Sequence, residues 1–330
     1  MSGRAEKRTK VVFIGGYGRS GSTLLGLLLD QHPSFVFAGE LVAVWAHFEA
    51  NRPCGCETPL RECPFWSTVM NDIAERLPSF DVQRMVRLQR RVDPGWRLPN
   101  LRSVLSGNAY EGAHYREAFG QLCRSIEAVS GCSVVVDSSK VASHGFILNS
   151  ISTVRTYPIH LIRDSRATAF SLRRSRFSPS HGKDLERRNL LRAALAWSVA
   201  NVEVGRLRRA NPDYRMLLYD DLVNQPGRVV AAITDLVAEP PPDSSVLEAT
   251  TIRPSHGHSI SGNPLKFAQA EIAIRPDEEW RHGLSGVEKG LVRTLTWPAQ
   301  AWTRRLQRGK RALLPSGPPT TVAHRGADDA

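Results

Sequence analysis

Val11-Val12-Phe13-Ile14-Gly15-Gly16-Tyr17-Gly18-Arg19-Ser20-Gly21-Ser22-Thr23-Leu24-Leu25-Gly26-Leu27-Leu28-Leu29 reads as three consecutive pieces of structure. The β-branched and aromatic run 11–14 predicts a buried strand that stops at Gly15-Gly16. Ser22 and Thr23 open a helix whose apolar stripe is Leu24, Leu25, Leu27, Leu28 and Leu29, and Pro33 bounds it. Between them, Gly16 to Thr23 has the glycine spacing of a loop that cradles phosphate. Glycines let successive N–H groups turn inward, and the helix N-terminus adds about half a positive charge aimed at the anion. Where a nucleoside triphosphatase carries its lysine, this loop has Ser22, and its cation is Arg19.

Outward from this unit, FVFAGE (35–40), SVVVD (133–137), IHLI (159–162) and RMLLY (215–219) read as further strands. Helical patterns lie between them, notably over 185–210 and 227–238. Short apolar strands alternating with helices predict an α/β fold of the three-layer, P-loop-like kind. Its parallel sheet has roughly five strands, and the glycine loop follows the first. Residues 50–130, with Pro53, Pro59, Pro64, Pro78, Pro94 and Pro99, interrupt the alternation. They are expected to form an irregular insertion over the sheet, a substrate lid. The expected organisation is a basic tail over 1–10, one domain over 11–302, and a basic Pro/Gly-rich tail of disordered composition over 303–330.

The chain has 330 residues and a formal net charge of +12, with 41% hydrophobic and 23% charged residues. This is a globular composition. No run of about 18 apolar residues occurs, and the first ten residues lead straight into a strand, which argues against transmembrane and secreted readings. High arginine usage suggests a bacterial cytoplasmic enzyme, with a basic tail able to meet a membrane surface. The positive charge is concentrated in residues 1–10, 163–192 and 303–330, and the middle segment alone carries half of it, +6. Five cysteines are too few for a disulfide scaffold. Cys54, Cys56 and Cys63 cluster as C-x-C-x6-C without a fourth ligand at familiar zinc spacing, so free thiols or one redox-dependent bridge are expected, and no metal.

Ile162-Arg163-Asp164-Ser165-Arg166 places Arg163 at the carboxyl end of an apolar strand, where open α/β sheets bind ligands, and Ser171 follows eight residues later. A guanidinium there offers a fork to phosphate, and a hydroxyl from the next helix adds a donor. Two other readings compete. A P-loop kinase shares the fold, but Ser22 in place of the lysine counts against it. The charge of +12 fits a nucleic-acid-binding protein, yet no basic stripe interleaved with aromatics is present.

Together, GYGRSGSTLL (16–25) and LIRDSRATAFSLRRS (161–175) resemble the two nucleotide motifs of the sulfotransferases that use 3′-phosphoadenosine 5′-phosphosulfate. VVVDSSK (134–140), YDDLVNQP (219–226) and HSISGNP (258–264) resemble segments of bacterial members, as does CGCETPLRECPFW (54–66), which has no assigned role. The resemblance spans residues 11–267. It implies that Gly18, Arg19, Ser20, Gly21, Ser22 and Thr23 hold the 5′-phosphosulfate and that Arg163 and Ser171 hold the 3′-phosphate, with Gly262 and Asn263 also at the donor. It further implies in-line sulfuryl transfer to the hydroxyl of a glycan, lipid, natural product or peptide, with no metal required. In the protein-tyrosine sulfotransferases a glutamate at a similar distance after the loop is the general base. Here Glu40, ending the second strand beside the loop strand, is the expected base, and His144 is its competitor. Asp137 has the position of a magnesium-holding aspartate, and Lys140 that of a cation near the transferring group.

Overall fold

The structure, a computed structural model, describes residues 7–92, 110–174, 177–178, 183–184, 189–253, 257–268, 270–307 and 311–314. Its centre is one sheet built from β1 (Thr9–Gly16), β2 (Phe35–Gly39), β3 (Val134–Lys140), β4 (Val154–Ile162) and β5 (Arg215–Leu218). All neighbours are parallel, and the order across the sheet is β2-β3-β1-β4-β5. The five expected strands and the loop after the first are present. One expectation changes: β2 does not lie beside the loop strand, because the wholly buried run Val134–Val136 of β3 separates them.

Helices of eight residues or more are α1 (Ser22–Leu29), α2 (Pro64–Arg76), α3 (Val82–Val92), α4 (Tyr110–Ser130), α5 (Ala142–Asn149), α6 (Ser165–Arg173), α7 (Leu190–Gly205), α8 (Pro226–Leu236) and α9 (Gly286–Gln307). They cover both faces because every other residue of β1 is apolar in each direction. Val12 and Ile14 face Leu25 and Leu28 of α1 and Val229 and Ile233 of α8. Val11 and Phe13 belong to the opposite core, with Trp45, Trp66, Phe119 and Trp197. A strand buried on both sides reads as a continuous apolar run, which is why these strands were recognisable.

Two sequence expectations are corrected. Among the described residues of 50–130 the structure is largely helical rather than irregular: α2, α3 and α4 carry Trp66, Met85 and Phe119 into the core. Pro64 does not break structure there but occupies the first turn of α2, where its missing N–H costs nothing. Pro94 and Pro99 lie outside the described residues. The fold also does not end at residue 302. α9 continues to Gln307 with Thr303 buried, and the stretch 311–314 lies along the outer side of β5. There Met216 N–H donates to Arg311 O (2.8 Å), Leu313 N–H donates to Met216 O (2.8 Å), and Leu313 is buried. Among the described residues no helix is long and apolar enough to cross a membrane.

Candidate active site

Because all five strands run the same way, their carboxyl ends deliver Gly16, Glu40, Lys140 and Arg163 to one edge of the sheet. The glycine loop turns there. Gly21 caps α1 at φ 96°, left-handed backbone suited to glycine, and a Cβ on it would lie 2.8 Å from the Tyr219 ring. No side chain caps the first turn of α1, which leaves its N–H groups directed at the loop. A Cβ on Gly18 would meet nothing within 4 Å, so packing does not call for glycine at that position. The Ser20 hydroxyl is buried with no hydrogen-bond partner among the described residues. Arg19 (φ 67°), Lys140 (φ 67°) and Ser261 (φ 54°) are left-handed without being glycine. Each such residue costs about 1–3 kcal/mol, and such strain gathers at functional sites.

Arg163 is buried behind the loop. One terminal nitrogen donates to Arg19 O (3.0 Å) and the other to Asp277 Oδ2 (2.7 Å), and its guanidinium carbon sits 4.5 Å from the centre of the Tyr219 ring. Its Nε is buried without a partner among the described residues. Burial works to raise the Asp277 carboxyl, but the hydrogen bond and charge of Arg163 hold it below its ordinary value. Burial raises the Tyr219 phenol, with Arg163 opposing. Asp164 caps α6 by accepting from Arg166 N–H (2.7 Å), which fixes the helix start directly after Arg163. Ser171 is buried further along α6.

Glu40 lies just past β2 and pairs with the ammonium of Lys140 at the end of β3, joining two residues a hundred positions apart. Lys140 also donates to Ser138 O (3.0 Å). The segment around Ile260 borders this pair: Glu40 N–H donates to Ile260 O (2.9 Å), and the Ser261 hydroxyl donates to Glu40 Oε2 (3.4 Å). Gly262 lies between Thr23 and Glu40, and Asn263 N–H donates to Thr23 Oγ1 (3.4 Å). Ser261, Gly262 and Asn263 thus connect the start of α1 to the carboxylate.

His144 is placed differently. Its ring and Asp137 are both wholly buried, with Nε2 2.9 Å from Asp137 Oδ2. Asp137 Oδ1 accepts from Leu41 N–H (3.2 Å) and Ser139 N–H (2.9 Å), and Val42 N–H donates to Ser139 Oγ (2.9 Å). The dyad and Ser139 tie the end of β3, which carries Lys140, to the turn after β2, which carries Glu40. An Asp137 with no exposure and with these partners does not hold magnesium. The sequence reading missed Tyr219 and Asp277 as parts of the site. Tyr219 was signalled by its place directly after β5, whereas nothing local marks Asp277.

Among solved structures, the chain is similar to the sulfotransferase domain of the Synechococcus PCC 7002 olefin synthase, with 18% identity over 92% of this chain and 98% of that one and a TM-score of 0.47. It is also similar to the sulfotransferase domain of the curacin biosynthetic pathway, with 18% identity, 87% and 96% coverage and a TM-score of 0.46. A sulfotransferase from Mycobacterium avium shows 15% identity, 71% and 64% coverage and a TM-score of 0.39. None of the curated proteins matches. Residues 11–58, which carry β1, the glycine loop, α1, β2 and Glu40, match the model of the sulfotransferase family.

Proposed function

We propose that this protein transfers a sulfuryl group from 3′-phosphoadenosine 5′-phosphosulfate to an acceptor hydroxyl. The observation that carries the reading is the pair of buried, unpartnered polar atoms at the sheet edge, Ser20 Oγ in the glycine loop and Arg163 Nε behind it. Buried polar atoms are normally satisfied, and a bound anion at each would satisfy these. The loop from Gly18 to Thr23 and the N-terminus of α1 receive the 5′-phosphosulfate, and Arg163 and Ser171 receive the 3′-phosphate.

In the reaction the acceptor oxygen attacks sulfur in line, an O–S bond forms, and the bond from sulfur to the 5′-phosphate oxygen breaks. Adenosine 3′,5′-bisphosphate leaves. Glu40 takes the acceptor's proton, Lys140 neutralises charge on the transferring group, and Arg19 stabilises the leaving phosphate as its charge grows. His144 acts through Asp137 as a positioning residue, because a ring without exposure does not reach an acceptor. The test is turnover with labelled donor across a panel of hydroxyl acceptors. Glu40→Gln is expected to lower turnover at least about a hundredfold while keeping affinity for adenosine 3′,5′-bisphosphate. Retained activity in Glu40→Gln with loss in His144→Asn overturns the assignment of the base. Equal affinity for the bisphosphate and for adenosine 5′-phosphate overturns the donor.

A further inference from the structure

The three clustered cysteines lack a fourth ligand in their own segment, and the fold supplies one from nearly two hundred residues away. Cys54, Cys56 and Cys63 surround His258, and one ligand atom from each residue lies within 4.8 Å of all the others. The distances are specific. His258 Nδ1 is 3.3 Å from Cys63 Sγ and 3.8 Å from Cys54 Sγ, and the Cys56 and Cys63 sulfurs are 3.7 Å apart. A tetrahedral zinc ion with bonds of about 2.3 Å to sulfur and about 2.0–2.1 Å to nitrogen has edges of about 3.8 Å between sulfurs and about 3.6 Å between sulfur and nitrogen. The two sulfur–nitrogen distances bracket that edge, and the sulfur–sulfur distance falls about 0.1 Å short of its own. We propose that Cys54, Cys56, Cys63 and His258 form a structural zinc site.

The surroundings aim the ligands. Phe65 stacks on the His258 ring, 4.8 Å between centroids and 3° from parallel. Trp66 Nε1 donates to His258 O (2.6 Å), and Gly55 N–H donates to Ser259 O (3.0 Å). Cys54 and Cys63 are wholly buried and Cys56 and His258 half-buried, so the site is shielded but reachable. A thiol-rich set without a carboxylate selects zinc over the oxygen-seeking magnesium and calcium. Four protein ligands close the coordination sphere, which marks a structural rather than a catalytic ion. A disulfide explains the cluster less well, since a bridge uses two of the sulfurs and leaves one thiol and the imidazole without a purpose. The ion would staple the turn at 54–63 to the segment from Gly257 to Asn263, the same segment that contacts Glu40 and Thr23. This holds whatever reaction the site performs.

The test is elemental analysis of the full chain purified under reducing conditions without added metal, followed by cobalt replacement of the ion. One zinc per chain is expected. The cobalt form should show intense visible bands and a near-ultraviolet thiolate charge-transfer band of a tetrahedral sulfur-rich site. Cys56→Ser and His258→Ala should lose most of the zinc, while Cys132→Ser, whose sulfur contacts Ser130 O, keeps it. Wild-type metal content decides the matter even where a variant folds poorly. A zinc-free protein that gives no such cobalt spectrum, or full zinc retention by both ligand variants, overturns the proposal.

Discussion

Arg163 divides its guanidinium among the backbone of the loop, a carboxylate and an aromatic face. The contact to Arg19 O makes it part of the loop's own support, so its loss is felt beyond the phosphate it would bind. Arg163→Ala should weaken binding of adenosine 3′,5′-bisphosphate by about 1.5–3 kcal/mol, the worth of a charged, forked contact. Calorimetry should show a smaller loss with adenosine 5′-phosphate. Arg163→Lys should recover little, because an ammonium keeps the charge but neither the fork nor the stacking on Tyr219. Asp277 already neutralises part of the guanidinium charge that an incoming anion at Nε would meet. Asp277→Asn should therefore tighten the bisphosphate relative to wild type, and weakened binding would show instead that Asp277 serves to hold the guanidinium in place.

The turn from β1 into α1 makes a contrasting pair of predictions. Gly21→Ala forces a Cβ onto left-handed backbone and into the Tyr219 ring, and left-handed conformation alone costs about 1–2 kcal/mol. A lower Tm and weaker nucleotide binding should appear together, since Tyr219 underlies Arg163. Gly18→Ala meets open space, so its Tm should match wild type while binding falls. On β4, burial drives the His160 imidazole down to about 4, with the Asn201 hydrogen bond opposing. Neutral His160 is satisfied on both sides, by the Tyr214 hydroxyl (2.7 Å) and Asn201 Oδ1 (2.9 Å). Below about pH 6.5 the unfolded chain takes up a proton that the folded chain refuses until about pH 4. Stability should fall as pH drops through that window, by up to about 1.4 kcal/mol per unit from this residue, and His160→Gln should flatten the urea-denaturation profile there. These elements also show what was legible in sequence. Val11–Ile14, Val134–Val136 and Ile159–Ile162 announced themselves because strands covered on both faces are apolar throughout, and the glycine loop did so because its chemistry is local. The position of β2 did not, since the crossovers that choose a parallel neighbour leave no local mark. The Glu40–Lys140 pair and the Asp277 contact are likewise products of topology, and Pro64, which begins α2, was read among residues that interrupt structure.

For the molecule as a whole, the stretch after α9 is structural. Arg311 and Leu313 occupy the hydrogen-bonding positions of Met216 on the outer strand, and Leu313 covers the core beneath. Truncation after Gln307 should lower the Tm and promote association through the uncovered edge of β5, compared with truncation after Leu314. Thermal melts and light scattering on the two forms check this. At the opposite side, the carboxyl end of β2 is bridged by Ile260. Both margins of the sheet are thus met by stretches that follow all five of its strands in the chain. Synthesis proceeds from the N-terminus, so all five strands leave the ribosome before either stretch that finishes them. During that interval the nascent sheet presents two unpaired margins. Its hazard is one of timing, and the yield of soluble protein should depend on chaperones that occupy those margins until translation is complete.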